Sequence, residues 1–267
     1  TLANAVTDNT YGREMDMLLS TGEQVTVALL AMAFASLGRK AVSLTGFQAG
    51  IITSGAYNKA KITGITPERV LQELDKGKIV IVAGFQGMAK NGDITTLGRG
   101  GSDTTAVALA GAMNADVCEI FTDVDGIYSA DPRLVKTARR MKEVTYNEML
   151  EMARLGAVVM QPRAVEMGKR HGVPVHVRST FIQQPGTIIR EGYTVEEREF
   201  IIRGVTHDTN VAKIAVLGVP DRPGVAYRIF SELAKANIDV DMIVQSIRNA
   251  DKNINDIVFT IAKPDLP

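Results

Sequence analysis

Within TTLGRGGSDTTAVALAGAMNADV, which runs from Thr95 to Val117, Gly98, Gly100 and Gly101 surround Arg99 just before Ser102, Asp103 and an alanine-rich run. A flexible turn at a helix start presents free N–H groups and the positive end of the helix dipole to an anion. Arg99 adds a planar fork able to clamp a carboxylate or phosphate through two bonds. The two commonest phosphate cradles are excluded. The segment lacks G-x-x-x-x-G-K-[ST], and a dinucleotide fingerprint starting at Gly98 needs glycine where Asp103 stands. A tight loop with a surface arginine accounts for the same residues, because glycine before a helix is often only backbone geometry.

A second group lies in FTDVDGIYSADPR, where Asp123, Asp125 and Asp131 accompany Gly126. Calcium is disfavoured, since an EF-hand loop places glycine sixth and closes with glutamate, whereas Gly126 comes fourth from Asp123. A loop at the carboxyl end of a parallel strand is where open α/β sheets hold ligands, which makes Asp123, Tyr128 and Arg133 candidate nucleotide contacts. Asp-Gly and Asp-Pro are equally ordinary turn formers. In LLSTGEQ, Ser20 and Glu23 have the spacing of a capping box for the helix that follows. The three histidines, with no HExxH pattern and one cysteine in the chain, make no metal site, and His176 reads as a strand residue.

These residues need a frame. At 267 residues the chain is comfortable for two domains, and 30 basic residues balance 30 acidic ones, so no global field draws it to nucleic acid or an anionic membrane. The single Cys118, in the apolar run DVCEIFTDV, reads as a buried inert thiol, and one cysteine fits a reducing cytosol. No span is expected to reach the roughly 20 apolar residues of a membrane helix, and TLANAVTDNT lacks signal-peptide character, so a soluble protein is expected.

The pattern alternates helix and strand. A helix is predicted from about Gly22 to Leu37, closed by Gly38, then the strand AVSLTG, a helix in TPERVLQELDKG with Pro67 first, and the strand KIVIVAGF. Asn91-Gly92 predicts a tight hairpin. Ser102 or Asp103 is the expected N-cap of the alanine-rich helix, and DVCEIFT the next buried strand. Helices follow at about Thr145 to Leu155, opened by a Thr145/Glu148 capping box, and at Pro162 to His171, before the strand VPVHVRS. Repeated αβ units imply a parallel sheet covered on both faces. From the charged connector YTVEEREF the character changes to strand, helix, strand, strand, which places one domain at 1–198 and a second at 199–267. The second is expected to be partial, stopping before the closing helix and strand of a βαββαβ unit.

MLLSTGEQ, LTGFQAGI, TTLGRGGSDTTAVALA, FTDVDGIYSADPR, MQPRAVEMGKRHGVPVHVRS, PGTII and GVPDRPGVAYRIFSELAKANIDVDMIVQS occur in the order they take in the aspartate kinases, which the chain resembles from Arg13 onward. The resemblance implies an α/β, three-layer αβα amino acid kinase fold with a mostly parallel central sheet, followed by a ferredoxin-like ACT domain. It implies transfer of the ATP γ-phosphoryl group, with Mg²⁺, to the side-chain carboxylate of L-aspartate in the cytoplasm. Arg99 and Asp103 then act at the reacting centre, with Thr21, Glu23, Gly100, Gly101 and Ser102 shaping the aspartate pocket. Arg99 grips a carboxylate, and Asp103 is turned toward the amino group. Thr122, Asp123, Tyr128, Asp131 and Arg133 match the nucleotide stretch. In the ACT domain Asp221, Arg222, Gly224, Gln245 and Asn255 are the implied effector contacts for lysine or threonine, at a seam between strands of a homo-oligomer. Two departures are expected to matter. Nothing in Thr1 to Gly12 matches the family's lysine and glycine-rich phosphate cradle, and Val158 stands where many relatives carry lysine. Another amino acid kinase, acting on glutamate or N-acetylglutamate, and a catalytically silent effector-binding chain remain as alternatives.

Overall fold

The computed structural model describes every residue except 1, 9, 158, 194–201, 237, 250–252 and 267. Val158, most of the YTVEEREF connector and the expected 198/199 boundary therefore lie outside the described residues. Contacts divide the chain into two compact units, Thr1–Thr206 and His207–Pro267.

The first unit opens with α1 (Arg13–Ser36), which starts about two and a half turns before the predicted helix. Ser20 consequently lies inside the helix, donates to the Met17 carbonyl at 2.8 Å, and caps nothing. The capping-box expectation for Ser20 and Glu23 is thus overturned. Charged Arg13, Glu14 and Asp16 hide the helical period; Asp93 holds Arg13, and Asn58 and Thr96 hold Asp16. This longer α1 also meets the length and apolar composition of a membrane span, contrary to the expectation of none. Here it packs on strands of its own unit.

There follow β1 (Ala41–Leu44), β2 (Ile51–Thr53), β3 (Ile62–Ile65), α2 (Glu68–Asp75), β4 (Ile79–Val82), β5 (Gln86–Ala89) and β6 (Ile94–Thr96). Pro67 is the N-cap of α2 rather than its first residue. Asn91-Gly92 does turn β5 into β6, an antiparallel pair. Next come α3 (Gly101–Ala112), β7 (Cys118–Thr122), β8 (Glu143–Thr145), α4 (Tyr146–Arg154), α5 (Pro162–His171), β9 (Val175–Ser179) and β10 (Thr187–Arg190). Small residues all round let α3 sink into the core, where Val107, Ala108 and Ala110 are buried. Thr145 and Glu148 form the predicted capping box of α4.

The strands are mixed rather than one continuous parallel sheet. β1–β4, β2–β5, β7–β9 and β8–β10 pair in parallel, while β2–β3, β5–β6 and β9–β10 are antiparallel. They form separate sheets, in the orders β1-β4, β3-β2-β5-β6 and β7-β9-β10-β8. β4 and β7 do not pair with each other, and Val80, Val82, Cys118 and Glu119 from the two strands line a common cleft of about 530 Å³.

The second unit contains β11 (Val211–Pro220), α6 (Val225–Lys235), β12 (Val240–Asn249) and β13 (Ile254–Ala262), in sheet order β11-β13-β12. Its strand, helix, strand, strand order is as predicted. Pro223 precedes the helix, and Gly224 caps it with a left-handed φ of 87°. Ile257, Phe259 and Ile261 on alternate positions of β13 form its core with Phe230 and Leu233 of α6.

Candidate active site

The glycine-flanked arginine sits between β6 and α3. Gly100, not Ser102 or Asp103, is the N-cap of α3, with φ of 64°, and no side chain caps that end. The orphan N–H groups and the dipole of the helix start therefore open onto a cleft of about 410 Å³ lined by Arg99, Gly100, Gly101, Ser102, Glu23, Asn58, Phe85 and Thr96. Glu23 reaches this cleft from the middle of α1, so an acid and an arginine distant in sequence face one space. Neither makes an ion pair among the described residues. A zwitterion fits such a pair: the carboxylate toward Arg99 and the helix start, the ammonium toward Glu23.

Backbone strain gathers at the same place. Among the described residues, only Asn58, Phe85, Asn114 and Asn253 are non-glycines with positive φ, and two of them line the cleft. Phe85, at φ of 65°, is held by donating its N–H to Thr105 Oγ1 at 3.0 Å and by accepting from Leu97 N at 2.9 Å. A bulky residue there persists only where its surroundings enforce it.

Thr21 and Asp103 do not line this cleft. Thr21 donates to the Leu18 carbonyl of its own helix. Asp103 is one residue past Ser102, and successive residues on a helix diverge by about 100°, which turns its side chain to another face. Burial pushes the Asp103 carboxyl above its usual pKa. Cys118 is buried as expected, and burial first, then the Asp103 charge, pushes its thiol up to about 11.

The loop after β7 begins at the carboxyl end of a strand parallel to β9. Thr122 Oγ1 donates to Asp123 at 3.1 Å. Tyr128 donates to Asp125, which also pairs with Arg140 at 3.2 Å. Desolvation and the Asp125 contact raise the Tyr128 pKa. Arg133 pairs with Asp131 at 2.8 Å, and its side chain is 85% exposed. The candidate nucleotide residues thus share one loop, with Asp131 partly neutralising Arg133. Asp125, Arg140, Asp16, Asn58, Thr96 and Arg163 belong to the two regions and were not singled out by sequence reasoning, except that Asp125 was noted as a possible cation ligand. No group of three or more His, Cys, Asp or Glu able to hold a metal exists among the described residues.

The model of the amino acid kinase family matches residues 3–179. The chain belongs to the amino acid kinase family. An ACT domain model matches residues 213–267, so this family member carries an ACT domain as well. A Mycolicibacterium smegmatis aspartokinase is 50% identical over 268 residues, spanning 100% of this chain and 64% of that protein. The chain therefore spans less than two thirds of the length of the curated relatives it matches. The aspartate kinase structure from Synechocystis is 48% identical, with a TM-score of 0.63 over 98% of this chain and 44% of that one. E. coli aspartokinase III, solved with lysine and aspartate and also with aspartate and ADP, is 29% identical, with a TM-score of 0.72 over 92% of this chain and 54% of its own. The amino acid kinase fold expected from the motifs is thus present, with mixed sheets.

Proposed function

We propose that this amino acid kinase phosphorylates the side-chain carboxylate of L-aspartate with ATP. The observation that carries the reading is the convergence of Glu23 with Arg99 and the uncapped start of α3 on one cleft. Aspartate offers an ammonium for Glu23, one carboxylate for Arg99 and a second carboxylate for reaction. The reacting oxygen is already ionised at neutral pH, so no protein base has to remove a proton. It attacks the γ-phosphorus, the bond to the β–γ bridging oxygen breaks, and ADP leaves with that electron pair. Catalysis then rests on alignment and charge neutralisation.

Asp123, Thr122, Tyr128 and the Asp131–Arg133 pair are the assigned nucleotide contacts. Mg²⁺ is held mainly by phosphate oxygens with one or two carboxylates, which the acids of this loop can supply without a three-acid cluster. Thr21 and Asp103, which do not line the cleft, are assigned supporting parts without contact to the substrate. The complexes of E. coli aspartokinase III with aspartate, ADP and lysine support the same substrates here and an amino acid effector, lysine or threonine, at the ACT unit. The outer edge of β12 carries exposed Met242, Ile243, Val244 and Ile247 and no further strand among the described residues, which favours pairing with a second copy. A cytoplasmic location accords with a free buried thiol.

The test is coupled ADP release by the full-length protein with aspartate and with glutamate. Release that depends on aspartate and is much weaker with glutamate is expected. A preference for glutamate would replace the substrate, and release with neither would favour an effector-binding chain.

A further inference from the structure

Two walls of the Arg99 cleft, the loop through Asn58 and Ala60 and the end of β6 at Thr96 and Leu97, are gripped from opposite chemical sides. They touch directly where Ala60 N donates to Thr96 O at 2.9 Å. From α1, the fully buried Asp16 accepts from Asn58 N at 3.0 Å, Asn58 Nδ2 at 2.6 Å, Thr96 N at 3.0 Å and Thr96 Oγ1. From α5, Arg163 donates through one terminal nitrogen to Leu97 O and through the other to Ala60 O, both at 2.8 Å. The acid thus takes the donors of residues 58 and 96, and the guanidinium takes the carbonyls of residues 60 and 97. Neither side chain lines the cleft.

The chemistry of each residue suits its task. A carboxylate has about four acceptor sites and no donor, whereas an asparagine would turn an NH₂ toward N–H groups. A guanidinium spans two carbonyls in a plane, which a lysine ammonium does not reproduce. The walls also need restraint, because Asn58 has φ of 63° and its carbonyl lies close behind Gly98, one residue from Arg99. We propose that Asp16 and Arg163 are positioning residues that hold these two walls in register and so set the affinity of the cleft for its amino acid substrate. The proposal rests on the kinase reading above. The nucleotide loop shares neither wall, so the effect falls on one substrate.

The experiment compares full-length wild type with Asp16→Asn and Arg163→Lys, measuring KM for aspartate, KM for ATP, kcat and melting temperature. The KM for aspartate should rise ~10–100-fold while that for ATP stays within about twofold. An unchanged KM for aspartate in a folded variant, or a parallel rise in both constants, overturns the proposal. If Asp16→Asn does not fold, Arg163→Lys decides, and failure of both to fold shows that the pair serves the core instead. Hydrogen exchange examines the clamp without the reaction: Arg163→Lys should lose protection at 58–61 and 96–101 and nowhere else, and a uniform change or none refutes it. Absence of aspartate-dependent turnover in wild type itself sinks the kinase reading, leaving the exchange result to judge the clamp.

Discussion

Gly100 and Gln161, the residues that cap α3 and α5, are packed directly against each other: a Cβ built on Gly100 would lie 2.5 Å from Cβ of Gln161 and closer still to its Cγ. With φ of 64° as well, Gly100 has two reasons to be glycine. Gly100→Ala should destabilise the protein by about 1–3 kcal/mol from the backbone alone, with further loss from the collision, and should weaken aspartate binding. Thermal melts and aspartate titrations measure this. Adding Gln161→Gly should recover the steric part only, and a Gly100→Ala protein with wild-type melting and titration would show that the turn is pliable.

That packing explains what sequence could and could not disclose. The Thr145/Glu148 box, the Asn91-Gly92 turn and the order of elements in the second unit are local, so spacing sufficed. The cleft shared by Glu23 and Arg99 was legible only through resemblance, since nothing in the spacing of Glu23 relates it to Arg99. The clamp was not legible at all. Its bonds join residues 42, 66, 80 and 103 positions apart, and Asp16 precedes the helix predicted from Gly22, so no local pattern related it to Asn58 or Thr96. Asp103 follows Ser102 by one residue on α3, and the rotation between adjacent helical residues, which a motif read in line does not register, turns it from the cleft that Ser102 lines.

Arg99 is exposed to the cleft and has no ion pair among the described residues, so a ligand carboxylate meets it without displacing a partner. Losing a charge-assisted hydrogen bond costs ~1.5–3 kcal/mol, roughly ten- to more than a hundred-fold in affinity. Arg99→Ala in the full-length protein should raise the aspartate requirement by that factor and leave the ATP requirement nearly unchanged. Steady-state titrations of both substrates decide, and equal aspartate curves would remove Arg99 from the site.

Glu73 of α2 supplies a pH signature for the fold. Its carboxylate, 2% exposed, meets Lys78, Lys76 and Arg69, and the lysine bonds hold its pKa at about 2 instead of the usual 4.5. A depressed folded pKa means that its stabilisation is present above the unfolded value and is lost as pH falls through that interval. Urea midpoints should therefore drop on acidification from about pH 4.5 to about pH 2 more steeply in wild type than in Glu73→Gln. Parallel profiles would mean that the lysines do not favour the ionised acid.

Control is the remaining question, and the second unit brings its candidate residues to one end of its sheet. Val219 pairs with Asn255, which places that largely buried amide beside the turn through Asp221 and Arg222. Gln245 faces Ile257, and paired residues in a sheet share a face, as do positions two apart, so Gln245 and Asn255 project to the same side. Asp221 is exposed, its N–H donates to the Asn253 carbonyl at 2.8 Å, and its carboxylate makes no ion pair among the described residues, so an ammonium can meet it. Gly224 begins α6 without a side-chain cap, so its first N–H groups can receive a carboxylate. An amino acid effector satisfies both ends at once. By linkage, a ligand that binds the inhibited state better must draw the kinase toward it, and a variant that loses that preference loses inhibition by the same free energy. Asp221→Ala in the full-length protein should therefore keep its uninhibited rate and resist feedback. Inhibition by lysine and threonine, singly and together, measures this: a wild type that is inhibited and an Asp221→Ala protein with the same midpoint would place the regulatory site elsewhere.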